Sequence, residues 1–70
     1  MGVHSRQLQQ LRNANAKDEQ TANVLAARLR READTLPPAE ARSLASQVAS
    51  LGRRRQSRAE LIAELEAEGG

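Results

Sequence analysis

Along the first half of the chain, apolar residues return at alternating steps of three and four. The stripe reads Leu8, Leu11, Asn15, Asp18, Ala22, Leu25, Leu29, Glu32 and Leu36. A second stripe reads Ala41, Leu44, Val48, Leu51, Arg55, Arg58, Ile62 and Leu65. Steps of three and four keep side chains on one face of an α-helix, and several heptads of them predict a coiled-coil seam. Both stripes carry polar residues in the middle.

One strong break separates them, Pro37-Pro38. A residue before proline avoids the α conformation, so the first helix is expected to end near Asp34 or Thr35. Pro38 suits the first turn of a following helix, with Glu40 close behind at the positive end of its dipole. The expectation is an all-α chain with helices at about 5–35 and 38–67. Ser5 is the candidate N-cap of the first, and residues 1–4 and 68–70 are expected to fray. Each helix would be about 45 Å long at 1.5 Å per residue. Equal lengths around a short turn make an antiparallel two-helix coiled-coil hairpin, a single unit over 1–70.

Folding at Leu36-Pro37 pairs positions that lie equally far from the turn. Leu8 then meets Leu65, Leu11 meets Ile62, Ala22 meets Leu51, Leu25 meets Val48, and Leu29 meets Leu44. These ten form the predicted interaction seam. The polar members also meet, Asn15 with Arg58 and Asp18 with Arg55. Two heptad stripes can always be aligned in some register. That the turn's own register matches polar to polar, with opposite charges at one level, is the informative part. The segment "NANAKDEQTAN", residues 13–23, holds three Asn, which compete for backbone hydrogen bonds and weaken a helix. It reads either as a polar layer that fixes register or as a kinked stretch.

The stretch "LGRRRQSRAELI", residues 51–62, admits two organisations. Gly52 can end a helix, and Ser57 with Glu60 is a capping-box pattern that can start another. Against that break, Leu44, Val48 and Leu51 predict seam positions at 55, 58, 62 and 65, and Ile62 and Leu65 comply. A flexible linker need not keep phase, and a mid-helix Gly costs only about 1 kcal/mol. Phase favours one continuous second helix.

Composition narrows the picture. Seventy residues without Cys, Phe, Tyr or Trp have neither disulfides nor large aromatic side chains to support a core. Ala, Leu, Glu, Arg and Gln dominate, all strong helix formers. Lys17 is the one lysine against ten arginines. With the alanine content, that bias points to a GC-rich genome, such as an actinobacterium or one of its phages. No apolar run approaches membrane-spanning length and no signal-peptide core follows the start. Met1-Gly2 lacks the Ser or Thr at position six of a myristoylation start. A cytoplasmic location, or one inside an assembled particle, is the expectation, with no membrane partner.

Charge sets the main alternative. Arg53, Arg54, Arg55 and Arg58 form one basic group; Arg28, Arg30, Arg31 and Arg42 form another near the turn. Arg28, Arg31, Arg42, Arg53 and Arg54 are the candidate contacts for nucleic acid or an acidic partner, through phosphate or carboxylate pairing. The net charge is only +2, acidic residues are interleaved, and no aromatic ring is present to stack on bases. A mixed-charge face is the simpler reading. Glu64, Glu66 and Glu68 sit at a helix C-terminus, the wrong sign for the dipole. That end either frays or meets a basic surface.

Chemistry is scarce. One His, no Cys, no glycine-rich phosphate loop and no metal-ligand spacing leave no catalytic, cofactor-binding or metal candidate and no small-molecule ligand. The leading expectation is a non-enzymatic helical module for protein–protein interaction, an assembly factor, adaptor or regulator. The hairpin seam alone is lean, so it should be completed by oligomerisation or by docking on a protein partner. Val24, Ala26, Ala33, Ala45, Ala49, Leu61 and Ala63, all off the seam, are the candidates for that second face. The alternative is a small nucleic-acid-associated protein working through its arginines.

Overall fold

A computed structural model describes residues 4–69 of the chain, so the expectations of fraying at 1–3 and 70 lie outside the described residues. Two helices account for nearly all of it: α1, Ser5–Arg31, and α2, Pro38–Ala67. They run antiparallel and pack along their length, as an all-α helical hairpin. The rod measures 51 × 14 × 11 Å, with a radius of gyration of 15.8 Å. A compact chain of this length would have a radius near 11 Å. The described residues therefore form one layer of two helices, with no third element among them over either broad face.

Two local features differ from expectation. First, α1 stops at Arg31 rather than near Thr35. The Glu32 N–H still donates to the Arg28 carbonyl at 2.9 Å, but the Thr35 and Leu36 N–H groups both turn back onto the Glu32 carbonyl, at 3.0 and 2.8 Å. The Thr35 hydroxyl donates to the same oxygen at 3.2 Å. Leu36 and Pro37 each precede a proline, so neither favours the α region. Pro37 is extended, φ −58° and ψ 146°. The chain needs residues 32–36 to cross from one helix axis to the other, roughly 8–10 Å away. Second, Ser5 is the first helical residue rather than the cap. His4 holds the cap position without a side-chain hydrogen bond. As the phase of the stripe predicts, α2 passes through Gly52 and Ser57 unbroken, and the capping-box pattern there starts nothing. The weak segment 13–23 is likewise helical throughout. Thr21 donates its hydroxyl back to the Lys17 carbonyl at 3.1 Å.

The core is thin. Leu8, Ala22, Leu44, Leu51 and Leu65 are the buried apolar residues. Leu11, Leu25, Leu29, Val48 and Ile62 are half-buried, as two-helix seams leave them. Leu36, counted with the first stripe, is half-buried in the turn. No described helix is long and apolar enough to cross a membrane.

A Cβ at Gly52 would meet nothing within 4 Å, so alanine fits without strain. Gly52→Ala is expected to stabilise α2 by about 0.5–1 kcal/mol through helix propensity. Thermal melting followed by circular dichroism should show a midpoint roughly 2–8 °C higher. A lower midpoint would mean that something occupies that space.

Candidate functional site: a polar clamp and an open groove

The middle of the hairpin is held by polar groups. Asp18 lies in the seam with its side chain 13% exposed. Its carboxylate accepts from the Arg54 guanidinium at 3.1 and 3.2 Å and is also paired with Arg58. The hydrogen bond from Arg58 is the main cause holding the Asp18 carboxyl below its usual 3.8; partial burial opposes it, and Arg54 adds to the lowering. Asn15, one turn earlier, donates its amide to the Arg55 carbonyl at 3.1 Å and accepts from Arg58 at 3.3 Å. Asn15, Asp18, Arg54 and Arg58 thus tie α1 to α2 at the level where both stripes turn polar.

The expected Asp18–Arg55 pair does not form. The two positions face each other across the seam, but a two-helix layer has two sides. Arg54 and Arg58 stand four apart on one edge of α2, so both reach the short Asp18 side chain. Arg55 lies instead along the other side, and its Nε is buried without a hydrogen-bond partner. Reasoning by seam position missed Arg54. The signal was its i,i+4 relation to Arg58.

The side that Arg55 lines is a shallow groove of about 520 Å³ between the helices. Its floor is made by small or short side chains, Ala16 on α1 and Gly52 and Ala59 on α2, with Arg12, Glu19 and Ile62 at the rim. Arg12 crosses to pair with Glu66, both half-exposed, and His4 Nε2 approaches Glu68 at 3.9 Å. The acidic C-terminal end of α2 is therefore met by basic groups of its own chain. The off-seam apolar residues split between the two sides of the layer, Val24 and Leu61 preceding seam positions and Ala26, Ala33, Ala45, Ala49 and Ala63 following them. Val24 is 63% and Leu61 38% exposed, Ala26 is half-buried, and Ala33, Ala45, Ala49 and Ala63 are exposed.

The basic groups are divided. Arg54 and Arg58 are engaged by Asp18, and Arg28 pairs with Glu32 at 3.4 Å. Arg53 donates to the Ser50 hydroxyl at 3.1 Å. Arg30, Arg31 and Arg42, around the turn, are exposed and hold no ion pair among the described residues. No group of three or more metal-ligating side chains is brought together among the described residues.

Compared with family models, with curated proteins and with solved structures, the chain gives no match.

Because the carboxyl of Asp18 is lowered in the folded chain, its contribution is fully present above the unfolded value of 3.8 and is lost as pH falls through the lower, folded one. Wild type should exceed Asp18→Asn in stability near neutral pH, and the gap should close in acid. A gap independent of pH would contradict the clamp. In double-mutant cycles with alanine, Asp18 should couple to Arg54 and Arg58 but not to the Arg55 side chain.

Proposed function

We propose that the chain is a small non-enzymatic helical module whose work is protein–protein association, as an assembly factor, adaptor or regulator. The observation that carries this reading is the surface left open. A compact protein of 7.6 kDa exposes roughly 4,300 Å². The hairpin exposes 5199 Å², about 900 Å² more than that expectation. A standard interface covers about 800 Å² on each partner. The excess therefore matches one interface.

Two further features support it. The five buried apolar residues among those described include no aromatic side chain, so burial does little against the ordering of so many residues. The polar clamp spends its specificity on register. Setting which residues line the outer faces is what a module that docks through those faces requires.

A nucleic-acid reading has one observation in its favour, the exposed Arg30, Arg31 and Arg42 around the turn. It is the weaker of the two, since Arg54 and Arg58 already pair with a carboxylate of their own chain.

In dilute solution without a partner, the chain should melt broadly and at low temperature, and a partner should sharpen the transition and raise its midpoint. Sedimentation showing a dilute monomer that unfolds sharply at high temperature would contradict the proposal. If retention on DNA or RNA fell when Arg30, Arg31 and Arg42 were changed to Gln, the nucleic-acid reading would replace it.

A further inference from the structure

α2 carries a second stripe at three- and four-residue spacing: Ala45, Ala49, Gly52, Gln56, Ala59 and Ala63. It lies roughly a quarter-turn around the helix from the leucine seam, by the 3.6-residue repeat. All of its members are exposed except Gly52, which is half-buried. Gly52 and Ala59 are also the α2 side of the groove, with Ala16 opposite on α1. In a four-helix bundle each helix touches two neighbours about a quarter-turn apart. This stripe stands where the second neighbour of α2 belongs, and its small side chains permit close approach.

Charge selects the occupant. Placing α2 antiparallel against a copy of itself leaves few registers that keep the stripe in contact. One sets Arg53 beside Arg53 of the other chain and is repelled. Another sets Gly52 opposite Ala63 and Gln56 opposite Ala59, and brings Arg53 beside Glu60 of the other chain, twice over by symmetry. Arg53 and Glu60 are both exposed on the same flank of the stripe, seven residues apart. The same two-fold axis crosses α1 near Ala16 and brings Arg12 of one chain, which also pairs with Glu66 of its own chain, toward Glu19 of the other. Both residues border the groove. One axis therefore gives opposite charges on both helices, and the roughly 900 Å² of surplus surface is about what each chain of such a dimer must cover.

We infer that the groove face is the interface of an antiparallel homodimer, a four-helix bundle of two hairpins, in register through Arg53 and Glu60. This rests on the reading of the chain as an association module and names the partner as a second copy.

Sedimentation equilibrium on the wild type, Arg53→Glu, Glu60→Arg and the double exchange tests it, with helicity followed by circular dichroism. The wild type should be a dimer. Each single exchange places like charges together at two symmetric contacts and should weaken dimerisation roughly tenfold at low salt. The double exchange should restore it. Since both side chains are exposed, helicity at equal dimer fraction should be unchanged. A dimer indifferent to the exchanges, or weakened by one without rescue by the double, overturns the register. A wild-type monomer at high concentration overturns the homodimer. In that last case, cooperative melting gained only on adding a different protein would leave the association reading standing, and a sharp, stable monomer would remove both.

Discussion

Everything in this molecule follows from one leucine stripe packing against another in the register that the chain reversal at residues 32–36 imposes. Leu44 and Leu51 of α2 can be buried only if α1 returns at the right level. The two consecutive prolines end helical continuity and place the start of α2. The closure of Thr35 and Leu36 onto the Glu32 carbonyl sets how far the chain travels before α2 begins. A slip of one residue would turn each leucine off the seam. A slip of a full heptad would keep leucine on leucine in part but strand Asp18 away from Arg54 and Arg58. Apolar packing thus provides the attraction and the polar clamp provides the choice among registers.

That division of labour explains how a chain without aromatics adopts one arrangement. Apolar contacts are weakly directional, and two alanine- and leucine-rich stripes would tolerate several alignments. A carboxylate shared by two guanidiniums, with an asparagine beside it donating to a backbone carbonyl, tolerates few. The same arrangement pairs Arg54 and Arg58 with a carboxylate of their own chain. Arg55 lies on the opposite side, where it lines the open groove and its buried Nε lacks a partner.

Much of the fold was legible because its signals are local and repetitive. The phase carried across Gly52 by Leu51, Ile62 and Leu65 indicates a continuous α2, against the nearby capping pattern. The break at Pro37-Pro38 locates the reversal. The end of α1 was misplaced because the prolines say where helix is forbidden, not how many residues the crossing needs. The clamp was legible only as a level. Asn15 and Asp18 stood opposite the arginines by counting, but which arginine reaches Asp18 depends on side-chain length and on which edge of the layer each residue occupies. Counting along a seam does not contain that information. The groove was less legible still, because its floor is made of alanine and glycine, which no hydrophobic stripe announces.

Whether the chain doubles back in this register shows in a distance across the hairpin. Lys17 and Ser57 are exposed and stand at nearly the same level on α1 and α2. Spin labels on cysteines at these two positions, with labelled protein diluted into unlabelled chain, report the intramolecular separation alone. One narrow distribution at short range is expected, on the order of 20 Å for two adjacent helices. A broad distribution, or one centred near the roughly 60 Å of an uninterrupted helix, would contradict it.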